Sequence, residues 1–443
     1  MGKFCETVAK NVIMKILHIN TYDRGGAANA CLRLHEGLLN SGIDSKVLVL
    51  HKTNNNFPEV YAYEPEILPL KKRIFSQRLK GKIQRILKEF GLYKKNVIPE
   101  SEIERQNLQN LRPKGLEMIS FPESNIDITN NKLFREADIV HLHWVANFLD
   151  YKTFFEKCRK PIVWTFHDQN PFLGVEHYDE KLLSPDKQGF PNVRQFDSYE
   201  LEVEEKYKQI KREIFKNTPI NIVALCNWMK NEIADSQMFP AAKINIISNG
   251  IDANQFRILN KIFCRELLNL PLDKKIILFV SDNIDNNRKG LSYLSRAIEK
   301  IKATDFIVCS VGNKSYSYNN KNFIELGEIR DQRLMNAIYS AADLFVIPSL
   351  MDNLPNTVVE SLLSGTSVIS FPVGGMLDMI KHKKNGYITN AINVNALVDS
   401  INDFFENGVE WNSEQVRKNA IENYDISVQV KNMTKLYQDI NSI

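Results

Sequence analysis

Short runs of aliphatic and aromatic residues alternate with longer amphipathic stretches along most of this chain. Apolar runs bounded by turn residues are typical of strands buried on both faces, and the amphipathic stretches between them are typical of helices. This alternation predicts an α/β protein whose parallel sheets are covered by helices on both faces. The predicted strands form two series, the first at 15–20, 46–50, 138–142, 161–166 and 220–225, and the second at 275–280, 306–311, 344–347 and 368–371.

The two series predict two domains. The chain has 443 residues, and single hydrophobic cores rarely grow beyond roughly 250–300 residues. The Asn249-Gly250 step favours a break in the chain, and Pro271 opens the next unit. We therefore predict a first Rossmann-like domain, a second Rossmann-like domain and a terminal helix, with bounds at 1–250, 251–427 and 428–443.

Composition and charge exclude several classes of protein. The net charge of +4 is too small to indicate a nucleic-acid partner, since nucleic-acid binders concentrate basic residues on one face. The six cysteines are scattered without metal-ligand spacing, which favours reduced thiols in a cytoplasmic protein. No apolar stretch approaches the roughly 18 residues of a membrane span, and no apolar signal core begins the chain. We expect a cytoplasmic protein without a nucleic-acid partner.

The region from 53 to 130 departs from the alternation of predicted strands and helices, and its centre is strongly basic. Residues 70–90 carry many lysines and arginines against the single acid Glu89, with apolar residues at helical spacing. A basic amphipathic helix can bind an anionic bilayer. It can equally pack on the first domain with its basic face in water. The sequence therefore predicts a helical insertion near 65–95 and leaves open its peripheral contact with the inner face of the cell membrane.

Two carboxylates, Asp352 and Glu360, lie around the start of a predicted helix in the second domain. The run 342–347 indicates a buried strand, and Pro355 opens a helix that Gly365 ends. The loop between strand and helix places free backbone N–H groups and the helix dipole together, which favours anions. A diphosphate would fit this loop, with the two carboxylates reaching different hydroxyls of one extended ligand.

Several motifs, in this order, resemble those of the family 4 retaining glycosyltransferases. The segment 348–360 is similar to the E-x7-E region of that family, with Asp352 in place of the first glutamate. The other matching segments are 14–20 with Gly25 and Gly26, 164–168, 248–252 with Ser for the usual Pro, and 288–290. The resemblance implies the GT-B fold, which has two Rossmann-like parallel-sheet domains facing each other across a cleft, and a terminal helix that crosses back to the first domain.

The resemblance also implies roles for individual residues. His167 would face the transferred sugar, and Lys289 and Arg288 would neutralise the departing diphosphate. Asp352 would hold the transferred sugar, and Glu360 would accept hydrogen bonds from the ribose hydroxyls. The amides at the start of the helix would replace the glycine-rich turn of the family. The remaining implied donor-binding residues are Gly25, Gly26, Ile329, Asn353, Leu354, Asn356, Thr357 and Val358.

The resemblance implies a metal-independent hexosyltransferase of the bacterial envelope or capsule type that needs no cofactor. It would move a sugar from a nucleoside-diphosphate sugar to a hydroxyl of a glycan or lipid-linked saccharide and retain the anomeric configuration. The loop after His177 lacks the cysteines of some relatives, so we predict no metal there. Two alternatives stay open: a sugar-nucleotide epimerase with this fold, and a non-catalytic nucleotide-sugar-binding homologue, indicated by Asp352, Asp282 and the missing glycines.

Overall fold

The computed structural model describes residues 14–65, 99–302, 305–313, 322–406 and 412–441. The strands are β1 (Lys15–Tyr22), β2 (Asp44–His51), β3 (Val60–Ala62), β4 (Ile139–Leu142), β5 (Ile162–Phe166), β6 (Leu182–Pro185), β7 (Pro191–Val193), β8 (Asn221–Ala224), β9 (Lys243–Ile246), β10 (Lys275–Asn283), β11 (Phe306–Asn313), β12 (Phe323–Gly327), β13 (Leu344–Ile347), β14 (Val368–Ser370) and β15 (Gly386–Ile388). The α-helices are α1 (Gly26–Asn40), α2 (Glu100–Leu111), α3 (Lys132–Glu136), α4 (Tyr151–Lys157), α5 (Ser198–Phe215), α6 (Asn227–Ser236), α7 (Lys261–Leu267), α8 (Leu291–Ile298), α9 (Gln332–Ala341), α10 (Asn356–Leu363), α11 (Met376–Met379), α12 (Val394–Glu406), α13 (Ser413–Tyr424) and α14 (Ile426–Asn441).

The first domain is built on a parallel sheet. Within the described ranges it has seven strands in the order β3-β2-β1-β4-β5-β8-β9. Every side chain of β4 and β5 is buried, as parallel strands covered on both faces require. Each predicted strand of the first series lies in this sheet. The edge strands β3 and β9 were not predicted, because neither carries a fully buried apolar run.

The second domain is built on another parallel sheet. Its described strands follow the order β12-β11-β10-β13-β14-β15. The four predicted strands of the second series are the central ones, and the short strands β12 and β15 form the two edges. The prediction of an α/β protein with two parallel sheets is confirmed.

The helix α14 leaves the second domain and packs on the first. Its buried apolar residues, including Met433 and Tyr437, join a cluster with Leu38 of α1 and Val163 of β5. A Cβ atom at Gly37 would lie 2.5 Å from a methyl group of Val430. The glycine thus allows α1 and α14 to approach closely.

The antiparallel hairpin of β6 and β7 also joins the domains. The Ser184 hydroxyl lies 2.8 Å from the side-chain oxygen of Asn287. The Tyr293 hydroxyl donates to the carbonyl of Leu183 at 2.8 Å, and the backbone N–H of Val394 donates to the carbonyl of Gly189 at 2.9 Å. The hairpin therefore extends from the first domain along the surface of the second.

The predicted basic insertion near 65–95, with its candidate membrane contact at 70–90, lies almost wholly outside the described residues. Within the described ranges, none of the helices combines the length and apolar character needed to cross a bilayer. The cysteines of these ranges are buried free thiols.

Candidate active site

The glycine turn of the first domain meets the helix α10 of the second. Gly25 has a φ of 92°, a backbone conformation that favours glycine, and it caps α1. The side-chain amide of Asn356, the first residue of α10, donates to the carbonyl of Gly26 at 3.2 Å. Two segments predicted from separate motifs therefore touch each other where the domains meet.

Lys289 forms an ion pair with Asp352, which precedes Asn356 by four positions in the same loop. The two residues lie 2.7 Å apart, Nζ to Oδ2. Gly290 follows Lys289 with a φ of 73°, and a Cβ there would lie 1.8 Å from the carbonyl oxygen of Pro348. Burial alone would raise the pKa of Asp352, but Lys289 and Arg288 outweigh it and lower that pKa. Asp352 is therefore a carboxylate at neutral pH, held by a cation.

Arg288 is enclosed rather than open to the cleft. Its guanidinium lies 2.9 Å from Glu117, 3.5 Å from Asp352 and 3.8 Å from Glu180, and 4.0 Å over the ring of Tyr178. Arg288 and Lys289 do lie together at Oδ2 of Asp352, in the turn before α8, but the guanidinium is enclosed by side chains. A buried guanidinium needs compensating carboxylates, and here the first domain supplies two of them. Burial raises the pKa of Glu180 to about 7, although Arg288 opposes the shift.

Glu360 is engaged by both domains. One carboxylate oxygen lies 3.1 Å from Nη2 of Arg33, which belongs to α1. The other accepts a hydrogen bond of 3.2 Å from the hydroxyl of Tyr339. Nε and Nη1 of Arg33 are buried and have no hydrogen-bond partner among the described residues. The carboxylate predicted to bind ribose is thus paired with a residue that sequence reasoning missed.

The start of α10 offers fewer free amides than predicted. The N–H of Val358 donates to the carbonyl of Pro355 at 3.1 Å, so its predicted contact with a diphosphate is not available in this structure. No described residue accepts a hydrogen bond from the N–H of Asn356 or Thr357. The side chains of Leu354 and Val358 are buried in the core. The side chains at these two positions are therefore not available to a ligand.

Asn353 connects the loop before α10 to the end of β5. Its amide donates to the carbonyls of Phe166 at 2.9 Å and His167 at 3.3 Å. The thiol of Cys226 lies 3.3 Å from its side-chain oxygen. Asn353 is therefore a bridge between the domains, and it brings the predicted residue His167 to their interface.

His167 begins a row of hydrogen-bonded histidines. Its Nε2 lies 3.1 Å from Nδ1 of His143, and Nε2 of His143 lies 3.0 Å from Nδ1 of His18. Burial lowers the pKa of His167 to about 4, against the opposing charge of Asp168. His167 is thus neutral at physiological pH.

Three buried histidines have the spacing of a metal site. One ring nitrogen from each of His18, His141 and His143 lies within 4.8 Å of the others. However, His141 already pairs with the hydroxyls of Tyr437 and Thr165 at 2.6 and 2.8 Å. Hydrogen bonds therefore account for most of this cluster, whose three members are all buried.

Asp168 holds the loop that carries Tyr178 and Glu180. Its Oδ2 accepts from Nδ1 of His177 at 2.6 Å and from the indole of Trp144 at 2.7 Å. Burial would raise the pKa of Asp168, but His177 outweighs it and lowers that pKa. Asp168 therefore positions the residues around Arg288.

A cavity of about 300 Å³ lies at the carboxyl ends of β10, β11 and β12. This edge is where open α/β sheets bind ligands. Ile329, the predicted base-reading residue, lies two positions after Gly327, the last residue of β12, whose φ is 74°, and Ile329 itself does not line the cavity. The lining residues are Ile284, Ser310, Gly312, Asn313, Glu325, Gly327 and Glu328.

Sequence reasoning missed the charged partners of the predicted residues. Arg33, Glu117, Glu180 and Tyr339 stand in no motif, and their partners are far away in the chain; Arg33 and Glu360 are 327 positions apart.

Comparison with known proteins adds two family matches. Residues 274–407 match the family described as glycosyl transferases group 1. Residues 105–255 match glycosyltransferase family 4. Together these matches cover most of both domains.

Individual relatives are more distant. The chain is 26% identical over 265 residues to an uncharacterized glycosyltransferase of Methanocaldococcus jannaschii, a match over 56% of this chain and 61% of that protein. It is 31% identical over 121 residues to a putative teichuronic acid biosynthesis glycosyltransferase, TuaC, of Bacillus subtilis, over 27% of this chain and 30% of that protein. The chain thus spans less than two thirds of the length of these curated relatives.

A solved structure shares the fold over nearly the whole chain. HepE of Anabaena in complex with UDP superposes with a TM-score of 0.61 at 15% identity, over 96% of this chain and 100% of that one.

Proposed function

The chain belongs to the family 4 glycosyltransferases and has their GT-B fold, and from this premise we propose that it transfers a sugar from a nucleoside-diphosphate sugar to an acceptor hydroxyl. The observation that carries the proposal is the loop before α10, where Lys289 pairs with Asp352 and the first residue of α10 contacts the glycine turn of the first domain. A cation, free helix amides and a carboxylate at one domain interface suit a sugar diphosphate.

The base, ribose and diphosphate of the donor would lie in that order along the described site. Its base would enter the cavity beside Glu325 and Gly327, and its ribose would reach Glu360. Its diphosphate would bind Lys289 and the N–H groups of Asn356 and Thr357. The neighbour HepE was solved with UDP, which supports a nucleotide of this type in the cavity.

The proposed transfer retains the anomeric configuration without a metal. The bond between the anomeric carbon and the diphosphate oxygen breaks, with the leaving charge stabilised by Lys289. The acceptor oxygen bonds to the same face of that carbon, and its proton passes to the leaving diphosphate. Asp352 and His167 would orient the sugar, while contact between the domains excludes water. Arg288 would act by holding the domains together through Glu117.

For the acceptor we propose a hydroxyl of a glycan or lipid-linked saccharide of the bacterial cell surface. The relative TuaC carries the description of a putative teichuronic acid biosynthesis enzyme, which supports this class. A cytoplasmic location, with contact to the inner face of the membrane, would bring the site to a lipid-linked acceptor.

The test is nucleotide binding and sugar release by the purified full chain in EDTA. Calorimetry against UDP, GDP and ADP should give one tight binder, and its sugar conjugates should be turned over slowly to free nucleotide. Lys289→Ala should weaken nucleotide binding at least about tenfold, since it removes a charge-assisted contact. Glu360→Ala should weaken it similarly.

Lys261→Ala provides the matched control. Lys261 makes an ion pair of 2.8 Å with Asp343 in the same domain, remote from the glycine turn. This variant should bind nucleotide as the wild type does. Wild-type binding in both site variants would refute the assigned site. Nucleotide binding without release or transfer would instead favour a non-catalytic homologue.

A further inference from the structure

The row of histidines behind His167 lies across three neighbouring strands. His18 lies in β1, His143 directly follows β4, and His167 directly follows β5; these strands are adjacent in the first sheet. His18 pairs in register with His141, and His143 lies two residues further along the same face. The three rings thus form a line from the buried centre of the sheet to the interface with the second domain.

The hydrogen bonds in this line can run in only two directions while the rings are neutral. If His167 donates from Nε2, His143 must donate to His18, and Nε2 of His18 must carry a proton. If His18 donates from Nδ1, His143 donates to His167, and His167 carries its proton on Nδ1. Burial lowers the pKa values of His18 and His143 well below 6.5, which keeps both rings neutral.

The unpartnered nitrogen of His18 decides between the two directions. Nε2 of His18 is buried and has no hydrogen-bond partner among the described residues. If His167 donates, Nε2 of His18 carries a proton and is a buried N–H without an acceptor. If His18 donates from Nδ1, its Nε2 carries no proton, and only a lone pair is left without a donor. Buried N–H groups without an acceptor are rarer than buried acceptors without a donor. The second direction is therefore favoured, and it leaves His167 with a proton on Nδ1.

We propose that His143 and His18 are positioning residues that fix His167 as a neutral ring carrying its proton on Nδ1, aimed at the substrate site. No described residue hydrogen-bonds to Nδ1 of His167, whose side chain is half-buried at the domain interface. His167 then offers a donor to a ligand oxygen and no basic nitrogen, because Nε2 accepts from His143. Its use in transfer rests on the proposed function, whereas the position of its proton does not.

The test reads the proton position directly. Selective ¹⁵N labelling of the eight histidines of the chain allows two-bond ¹⁵N–¹H correlation spectra at pH 7.5, with His167→Asn identifying the signal of that ring. In the wild type, His167 should show a protonated Nδ1 and an unprotonated Nε2. A wild-type His167 protonated on Nε2 would overturn the proposal, whatever the activity.

Two variants of His143 separate positioning from packing. His143→Asn keeps an amide N–H near the position of Nδ1, so His167 should stay protonated on Nδ1. His143→Phe fills the space without a donor, so the population protonated on Nε2 should rise, and kcat of transfer should fall by about tenfold with a smaller change in KM. His167 keeping its Nδ1 proton in His143→Phe would refute the role of His143.

His35→Asn is the control for loss of a buried histidine. His35 is buried but pairs with Ser45 and the carbonyl of Pro58 instead of joining the row. The spectrum of His167 should not change in this variant. If His143→Phe fails to fold, the wild-type and His143→Asn spectra still decide the proposal. Absence of transfer in all proteins, with the expected proton position, would refute the proposed function and leave the positioning intact.

Discussion

At the scale of single residues, the pairing of Glu360 with Arg33 has consequences for ligand binding. The side chains of Arg33 and Glu360 are only 10% and 12% exposed, and Tyr339 occupies the second carboxylate oxygen. Each oxygen has a second lone pair, but with so little exposed surface a ribose hydroxyl can reach Glu360 only if one of these partners moves. The ion pair across the domains therefore competes with the proposed donor.

Replacing Arg33 should strengthen nucleotide binding. Arg33→Ala removes the competing cation and leaves Tyr339 to hold the carboxylate. We expect the Kd for the preferred nucleotide to fall about tenfold, or about 1.4 kcal/mol, measured by calorimetry. Arg33→Lys keeps a charge near Glu360 and should stay close to the wild type. Weaker binding in Arg33→Ala would mean that the guanidinium itself contacts the nucleotide.

At the scale of elements, one turn determines where Lys289 lies. The 3-10 turn Asn287–Lys289 joins β10 to α8 and ends at Gly290, whose left-handed φ of 73° suits glycine. The backbone of Pro348 approaches this glycine so closely that no Cβ fits. The turn and the strand end after β13 are thus locked together, which places Lys289 against Asp352.

Alanine at Gly290 should disrupt this lock. The backbone strain and the clash with Pro348 should lower the thermal midpoint by roughly 4–8 °C and abolish nucleotide binding, as followed by circular dichroism and calorimetry. Gly26→Ala is a control for stability, because a Cβ at Gly26 would have no atom of the described ranges within 4 Å. It should melt within about 1 °C of the wild type. Equal melting of the two variants would contradict the account of this turn.

At the scale of the whole molecule, the domains are joined by a distributed set of polar contacts. The pairs of Arg288 with Glu117, Arg33 with Glu360 and Asn353 with the end of β5 all cross the interface. The hairpin of β6 and β7 and the helix α14 add further links. Several of these contacts involve candidate site residues, so the proposed site and the domain interface share side chains.

Acid should destabilise the folded chain from pH 6.5 downward. Burial lowers the pKa values of His18, His141 and His143 from 6.5, that of His141 to about 3. Below pH 6.5 the unfolded chain therefore binds more protons, and stability falls by about 1.4 kcal/mol per pH unit for each such histidine. Glu180 offsets the loss of stability from one such histidine, because its raised pKa makes the folded chain bind more protons than the unfolded chain between pH 4.5 and about 7.

The measurement is the urea midpoint between pH 7.5 and 4.5. It should fall steadily below pH 6.5, and His143→Asn should make the fall less steep by removing one buried ring. The exposed His51→Asn should leave the profile as it is. A midpoint that does not change over this range would show that the buried histidines are not kept neutral by the fold.

Much of the architecture could be predicted from local pattern. Apolar runs such as 275–280 and 344–347 became central strands, because a strand buried on both faces needs a continuous apolar sequence. The edge strands β3 and β9 escaped prediction because neither carries a continuous run of buried apolar residues. The α/β class and the order of motifs that indicated the family were therefore determined by the sequence alone.

The partners of the site residues were decided only by the tertiary structure. The sequence identified Glu360, Arg288 and His167 as site residues. It did not predict the pairs Glu360–Arg33, Arg288–Glu117 and His167–His143. Hydrophobic periodicity indicates which face of a helix or strand is buried. The hydrogen-bond or ion-pair partner of a side chain is instead the group that the fold brings within about 3 Å of it. That proximity joins segments from different domains and strands, so no local pattern contains it.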